Sequence, residues 1–325
     1  MAIYEAGTGA VGRAEPLSRK RTGVGRFGDE LFRLGVTGAA AVVLALLALM
    51  LVRVTGAAWP LLRDAGAELL TGRRWAPAAD VFGGLPFLFG TLVSSLVAIV
   101  LAVPVSLGIA LFVNEVAPSR MRSPLVYLVE LLAAVPSVVY GLWGLVVLLP
   151  RLERHAWAPL SGALGSIPIF SGPVYGQSFA TAGVVLAIMI IPIVTAISRE
   201  VIALVPSEHK EGALALGATR WEVLRLAVIP YARSGIIGGV MLGFGRAIGE
   251  TIAVALVIGG NPQIVRSLFQ PGYTIASVIA SQFNEATGTH IQALIALGVV
   301  LFGVTVLVNV LGRLFVWRAA RGLAS

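Results

Sequence analysis

The sequence predicts an all-α membrane protein, and two features of its composition carry that prediction. Of the 325 residues, 57% are hydrophobic and only 12% are charged, whereas a soluble domain carries about 25% charged residues. The mean hydropathy is +0.91, and the apolar residues are grouped in long segments. A membrane helix needs roughly 20 mostly apolar residues, so we expect lipid to be the solvent for much of the surface.

Six segments meet this length requirement and predict a six-helix transmembrane bundle. They are residues 34–54, 86–113, 125–149, 179–198, 235–258 and 291–312. Pro104, Pro136 and Pro192 lie inside the second, third and fourth segments. Membrane helices tolerate proline when neighbouring helices or polar groups satisfy the freed carbonyl groups. The six spans are therefore expected to pack together.

The distribution of Lys and Arg predicts that both termini are cytoplasmic. With that orientation the inside segments hold 16 basic residues and the outside segments hold 7, and Arg246 remains within a span. Such an excess marks the cytoplasmic side of bacterial membrane proteins. We divide the chain into a mobile basic cytoplasmic tail (1–30), a first transmembrane helix with an external loop (31–85), a core (86–316) and a cytoplasmic end (317–325).

The composition also excludes several classes of function. The chain has no Cys and a net charge of +8, but its basic residues lie mostly beside apolar segments. This pattern favours membrane orientation over nucleic-acid binding. The two lysines, Lys20 and Lys210, do not complete a G-x-x-x-x-G-K-[ST] phosphate loop, so ATP hydrolysis must come from another chain. We expect no cofactor or metal in this one.

The fifth span carries two ionisable residues at a depth where they are costly. Arg246 lies about 11 residues from either end of the segment 235–258, which is ~16–18 Å along a helix. Charged residues at such positions normally face a protein interior or a water-filled path. Glu250 follows at i+4 on the same predicted helix face, and Thr251 adds a hydroxyl group. We predict that these three residues line a substrate path, although a structural ion pair between two helices is the alternative.

Glycines on the same span predict close helix packing. Gly235, Gly239 and Gly243 repeat at four-residue spacing, as do Gly245 and Gly249. Faces of this kind allow the backbones of two membrane helices to approach closely.

A polar loop between the fourth and fifth spans predicts a short cytoplasmic helix near 207–217. Pro206 and Ser207 mark its start, and we expect Ser207 to cap its first turn. Glu208 and Glu211 suit its N-terminal end, and Gly217 suits its C-terminal stop. We predict a second short helix from about Thr219 to Leu226, with Pro230 as the residue that prevents its continuation. The spacing of Glu211, Gly212, Ala213 and Gly217 resembles the "EAA" loop of ABC-importer permeases. Gly212 stands where that family commonly has Ala.

A more specific resemblance covers residues 86–316. The segment Gly238–Thr251, followed by Ile258-Gly259, and the segment Ala133–Gly144 are similar to the PstC family, one of two permease subunit types of the bacterial phosphate ABC importer. The resemblance implies a type I ABC importer permease bundle in the bacterial plasma membrane, with Arg246 and Glu250 as the charged membrane residues. Glu250 would then hold Arg246 when the path is empty, or accept the proton that hydrogen phosphate carries and sulfate lacks.

The resemblance also implies partners. They are a PstA-type permease, an ATPase dimer that uses ATP and Mg, and an extracytoplasmic phosphate-binding protein, with membrane lipids around the bundle. The external loops 55–85, 150–178 and 259–290 would face the binding protein, with Asn284 and Glu285 as candidate contacts.

Three alternatives remain open from the residues alone. The first is a permease for another oxyanion, such as sulfate or molybdate. The second is a secondary transporter that uses Arg246 and Glu250 as a proton or sodium relay. The third is a membrane enzyme for phosphorylated lipids, but His155, His209 and His290 are scattered over three loops.

Overall fold

The described part of the chain is mostly helical and contains one small hairpin. The computed structural model describes the backbone of residues 23–321 and the side chains of residues 28–318. The helices are α1 (Gly23–Ala65), α2 (Glu68–Thr71), α3 (Leu85–Leu111), α4 (Ser119–Ala134), α5 (Ser137–Trp143), α6 (Leu149–Leu152), α7 (Ala158–Leu164), α8 (Phe179–Ala203), α9 (Ser207–Ala215), α10 (Arg220–Val223), α11 (Ile229–Gly249), α12 (Ile252–Val257), α13 (Ile275–Gln282) and α14 (Gly288–Arg321). Strands β1 (Trp75–Ala76) and β2 (Val81–Phe82) pair antiparallel, with Trp75 opposite Phe82.

The predicted cytoplasmic tail and end fall mostly outside this range. Residues 1–22 and 322–325 lie outside the described residues, whereas residues 23–30 of the predicted tail belong to α1. The chain divides into two compact units, residues 1–53 and residues 54–325, and the boundary falls within α1. In the first unit the described side chains are exposed and largely apolar, as with Leu44, Leu47 and Met50. Lipid is the solvent that such a surface requires.

The helices long and apolar enough to cross a membrane agree with the six-span prediction when one bent pair counts as a span. The described residues contain five such stretches, Gly28–Ala65, Leu85–Val116, Phe179–Ala203, Arg220–Gly249 and Gly288–Arg318. The sixth is made of Ser119–Ala134 and Ser137–Leu164, which meet at an angle of 89°. The predicted third span, 125–149, is therefore made of two helices that meet at this bend.

Pro136 explains the bend in the third span. Proline has no N–H to donate to the carbonyl four residues earlier, and it disfavours helical geometry in the residue before it. Val135 is accordingly extended, at φ −66° and ψ 128°. The Tyr140 hydroxyl donates to the Leu132 carbonyl at 2.8 Å and so satisfies the group that the proline leaves free.

A turn of π-helix precedes each of four prolines, and at two of these places the structure differs from the sequence prediction. They span Phe112–Val116, Gly144–Leu148, Glu153–Trp157 and Leu224–Val228, and each ends two residues before a proline. The wider turn accommodates a residue that lacks the N–H of a regular helix. Pro230 thus lies in the first turn of α11 instead of ending a short helix. The predicted external loop 150–178 is helical as far as Leu164.

The core forms where α8 packs between α3 and α11. Its largest fully buried side chains include Phe179, Leu186 and Ile190 of α8 and Ile258, which follows α12. Above it, two irregular segments hydrogen-bond to each other: Tyr175 N–H donates to Phe269 at 3.0 Å, and Ala180 N–H donates to Leu268 at 2.9 Å. The bundle is closed at this end by segments 166–180 and 258–274.

Candidate functional site

The fifth predicted span is broken beside its charged residues. We expected one helix over 235–258, but α11 ends at Gly249 and α12 begins at Ile252. Glu250 lies between them in extended geometry, at φ −70° and ψ 129°. Its Oε1 accepts a hydrogen bond from Ala253 N–H at 3.3 Å. This contact satisfies one of the N–H groups that the start of a helix leaves without a backbone partner, and so stabilises the break.

The break lies at a partly open cavity of about 550 Å³. Arg246 and Glu250 both line it, as predicted for a path. The complete lining consists of Ile193 of α8, Leu242, Gly245, Arg246 and Gly249 of α11, Glu250, and Thr305 and Asn309 of α14. Thr251 is not part of this lining, because its hydroxyl donates to the Gly249 carbonyl at 3.3 Å. The hydroxyl thus lies at the break between α11 and α12, and its place on a substrate path stays a prediction.

Arg246 does not form the expected ion pair with Glu250. In the described part of the chain, no carboxylate lies within 4.0 Å of its guanidinium group and no hydrogen bond holds it. The prediction of a shared helix face fails because the helix ends between the two residues. The Arg246 side chain is exposed although it lies in a membrane-spanning segment. It is close enough to Tyr140 for an electrostatic interaction. An exposed Arg in a membrane segment requires water, a ligand or another chain beside it.

The glycines of α11 have two different roles. A methyl group at Gly235, Gly239 or Gly243 would lie 2.5–3.0 Å from the side chains of Val201, Ile197 and Val194 on α8. Gly245 and Gly249, which we also expected to pack helices, line the cavity instead. Nothing in the described chain lies within 4 Å of the space where a Gly249 side chain would begin. The second repeat begins two residues after the last glycine of the first, so the two repeats lie on different faces of α11.

Sequence reasoning missed the contribution of α14 to the cavity. Thr305 and Asn309 are polar residues one helical turn apart in the otherwise apolar stretch 293–312. Thr305 Oγ1 donates to the Leu301 carbonyl at 2.8 Å, and Asn309 Nδ2 donates to the Thr305 carbonyl at 2.9 Å. Their spacing was the available signal, because polar side chains inside membrane spans usually face a path or a packed interior.

The loop between α8 and α11 forms the predicted short helix. It is α9, Ser207–Ala215, and Gly217 follows with φ +87°. Ser207 is the first helical residue and Pro206 holds the cap position, so the expected capping by Ser207 was wrong. A capping box begins the next helix, where Thr219 N–H donates to the Glu222 carboxylate at 2.7 Å and Glu222 N–H donates to Thr219 Oγ1 at 3.4 Å.

The outer surface of α9 carries exposed residues. Glu208, Glu211 and Gly212 are exposed, and Ala213 packs against the buried cluster that includes Val205 and Val223. Two apolar side chains beside them are also exposed, Leu214 by 50% and Leu216 by 91%. Apolar residues this exposed on a polar loop are typical of a protein-binding surface.

An ion pair ties α9 to the membrane core. Lys210 Nζ lies 2.6 Å from Glu115 Oε1, and both side chains are largely buried. Glu115 is in the π turn that extends α3, and the neighbouring Asn114 Nδ2 donates to the Arg199 carbonyl of α8 at 2.6 Å. Movement of α9 is thereby connected to two membrane helices.

The segments that we predict to be external contact one another. Trp75 Nε1 donates to Gln282 Oε1 at 3.0 Å, and Trp157 stacks on Phe269 with ring centroids 5.4 Å apart. Asn284 and Glu285 are exposed in the turn between α13 and α14. The three histidines lie apart, with His155 bonded to Arg151, His209 beside Tyr231 and His290 bonded to Gln282.

Comparison with known proteins identifies the family. The model of the "binding-protein-dependent transport system inner membrane component" family matches residues 102–321. The phosphate transport system permease protein PstC of Xylella fastidiosa is 44% identical over 297 residues, which cover 90% of this chain and 92% of that protein. The PstC protein of Haemophilus influenzae is 42% identical over 294 residues, covering 89% of this chain and 93% of the relative.

A solved structure supports the fold. The chain is similar to a chain of a bacterial ABC transporter for the acidic polysaccharide alginate, with a TM-score of 0.54 and 15% identity, over 89% of this chain and 98% of that one. The bundle is therefore that of a type I ABC importer permease. On the sequence match and the fold together, the chain belongs to the binding-protein-dependent transport system inner membrane components and, among them, to the PstC family of permeases.

Proposed function

We propose that this chain is the permease subunit of an ATP-driven importer of inorganic phosphate and forms half of its translocation path. The observation that carries the proposal is an Arg246 guanidinium group, without a protein partner in the described chain, in a cavity of about 550 Å³. The relatives named phosphate permeases, at 42% and 44% identity, supply the substrate class.

Arg246 suits an oxyanion because its planar guanidinium group donates two parallel hydrogen bonds and stays protonated at neutral pH. In a membrane cavity its charge lowers the free energy of a partly dehydrated anion more than it would in water. The cavity is wide enough for an anion with part of its water shell. Access from one side then allows the anion to exchange with a partner chain or with solvent.

The partners follow from what this chain provides. An ATPase dimer that uses ATP and Mg would dock on α9, where Leu214 and Leu216 are exposed. A PstA-type permease would complete the cavity on its open side. An extracytoplasmic phosphate-binding protein would dock on the external segments, with Asn284 and Glu285 as contacts, and this chain itself would hold no cofactor.

Alternating access is the mechanism that fits these parts. Closure of the ATPase dimer would move α9, and the Lys210–Glu115 pair would pass that movement to α3. The bundles would rock so that the cavity opens outward, accepts phosphate and then returns inward after hydrolysis.

Cytoplasmic termini belong to the same proposal, supported by 16 basic residues on the inner segments against 7 on the outer ones. A cysteine introduced at Glu285 in this Cys-free chain would test the orientation. An impermeant thiol reagent should label it in intact cells, and labelling only after lysis would reverse the proposed topology.

Phosphate uptake tests the function in cells that depend on this chain, comparing the unaltered protein with Arg246→Gln at equal membrane abundance. We expect ATP-dependent, phosphate-selective uptake that falls at least about tenfold in the variant, because loss of a charge that stabilises a desolvated anion costs ~1.4 kcal/mol or more. Arg246→Lys is the matched variant, since it keeps the charge and loses the fork, and it should retain part of the activity.

The other outcomes separate the alternatives. Uptake that survives Arg246→Gln would make Arg246 a structural residue. Competition by sulfate or molybdate as strong as that by phosphate would assign a different oxyanion. Uptake that ignores ATP but follows the proton gradient would replace the importer with a secondary transporter.

A further inference from the structure

Asn309 presents a hydrogen-bond acceptor to the cavity. Its side-chain Nδ2 donates to the Thr305 carbonyl at 2.9 Å. Because a carbonyl oxygen only accepts, the amide atom at this contact must be Nδ2 and cannot be Oδ1. The Oδ1 atom therefore points the other way. It lies 4.0 Å from where a side chain at Gly245 would begin, and Gly245 immediately precedes Arg246. No described residue donates a hydrogen bond to this oxygen.

The second acceptor in the cavity differs in its surroundings. Glu250 Oε1 already accepts the Ala253 N–H at 3.3 Å and holds the break between α11 and α12. Thr305 Oγ1 donates to the Leu301 carbonyl at 2.8 Å. Asn309 Oδ1 is thus a neutral acceptor whose orientation is set by the hydrogen bond of its own Nδ2. It lies on α14, beside the helix that carries the only described cation of the lining.

A fixed neutral acceptor distinguishes anions by their protons. At neutral pH inorganic phosphate and arsenate keep at least one O–H group, and sulfate keeps none. An O–H group can donate to Asn309 Oδ1 while the charged oxygens of the same anion accept from Arg246. Sulfate would place an oxygen against Oδ1 with no proton between them, and sites built to bond a substrate hydroxyl reject analogues that lack one.

We propose that Asn309 is a specificity-determining residue of the path, at which Oδ1 accepts a hydrogen bond from a protonated tetrahedral oxyanion whose charge is bound by Arg246. The inference rests on the proposed function, because it assigns a selectivity step to the same cavity. It extends that function by placing selection against unprotonated anions within the membrane, on α14, in addition to any selection made outside.

The experiment measures anion occupancy of the cavity without the extracytoplasmic binding protein. The chain has no Cys, so Gly249→Cys places a single thiol of this chain at the cavity, where the described chain leaves room for a side chain. The complex of permeases and ATPase is purified, and the rate of thiol labelling of this chain is measured at fixed pH. Phosphate, arsenate, sulfate and monofluorophosphate, which resembles hydrogen phosphate but lacks its proton, are titrated as protecting anions.

With Asn309 present, we expect phosphate and arsenate to protect at roughly tenfold lower concentration than sulfate and monofluorophosphate. Asn309→Leu removes the acceptor at similar size and should bring this ratio close to one, mainly by weakening phosphate. Asn309→Ser supplies a hydroxyl that can donate or accept, and it should admit sulfate. Val310→Leu, on the same turn but outside the cavity lining, is the control that should keep the ratio.

The outcomes separate this inference from the proposed function. A ratio that is unchanged in both Asn309 variants, while protection still requires Arg246, would overturn the role of Asn309 and leave the path intact. Protection that persists in Arg246→Gln would instead show that the anion binds elsewhere, and the proposed path would fail first. Since Asn309 is exposed, the Leu and Ser variants should assemble, and recovery of the purified complex checks that they do.

Discussion

Glu250 has two separable properties, a carboxylate charge and an oxygen that accepts the Ala253 N–H. The charge lies in the same cavity as Arg246, where it compensates the cation when no anion is present. The oxygen stabilises the start of α12, a contribution that is typically ~0.5–2 kcal/mol for a helix start. A single residue thus shapes the backbone of the site and balances its charge.

Substitution of Glu250 by Gln and by Ala separates the two properties. Glu250→Gln keeps the acceptor, so the thermal unfolding midpoint of the purified complex should stay within about 1 °C, whereas Glu250→Ala should lower it by several degrees. Phosphate uptake should fall roughly tenfold in both variants, because both lose the charge that releases the anion from Arg246. Normal uptake and intact sulfate exclusion in Glu250→Gln would leave Glu250 with the backbone role alone.

At the scale of elements, α11 carries a packing stripe and a cavity stripe on one helix. Gly235, Gly239 and Gly243 lie against α8, while Gly245 and Gly249 line the cavity. Close backbone approach to α8 leaves little room for a side chain on the first stripe, whereas the second stripe faces the cavity. The separation of the stripes lets α11 be anchored firmly and still form the wall of an open cavity.

Gly235→Ala and Gly238→Ala form a matched pair on this helix. A methyl group at Gly235 would lie 2.5 Å from the Val201 side chain, whereas at Gly238 no atom of the described chain lies within 4 Å. Gly235→Ala should destabilise the complex by about 1–3 kcal/mol through overpacking, and Gly238→Ala should be neutral or stabilise the helix by up to about 1 kcal/mol. Thermal unfolding of the purified complex measures both, and equal midpoints would contradict the packing role of Gly235.

At the scale of the whole molecule, polar contacts connect α9 with α8, a helix that lines the cavity. The Lys210–Glu115 pair, at 2.6 Å, joins α9 to the end of α3. The adjacent Asn114–Arg199 bond, at 2.6 Å, joins that end to α8, whose Ile193 lines the cavity. A movement of α9 therefore has a direct route to the site.

Removal of this pair should uncouple hydrolysis from transport. We expect Lys210→Met and Glu115→Gln each to lower the phosphate transported per ATP hydrolysed several-fold, since neighbouring groups in one network couple by about 0.5–3 kcal/mol. Exchange of the two residues, Lys210→Glu with Glu115→Lys, should restore part of the ratio. The ratio of phosphate transported to ATP hydrolysed is obtained by measuring both in the same proteoliposomes. If neither single substitution changes this ratio, the pair is not part of the coupling route.

The sequence by itself determined the features that depend on local composition. Long apolar segments set the membrane class and the six spans, because hydropathy over about 20 residues reports burial in lipid. Local signals placed α9 and its stop at Gly217. The charged pair in an apolar span marked Arg246 and Glu250 as residues of a path before any neighbour was known.

Only the tertiary structure decided which residues share the cavity and where the spans break. Proline and π turns permit a break, but the 89° bend at Pro136 and the break at Glu250 depend on how neighbouring groups satisfy the freed backbone. Asn309 lies 63 positions beyond Arg246 in the chain, and no periodicity within a single span relates them. Packing of α14 beside α11 brings both to one cavity, because contacts between helices depend on the whole arrangement of side chains and not on any one segment.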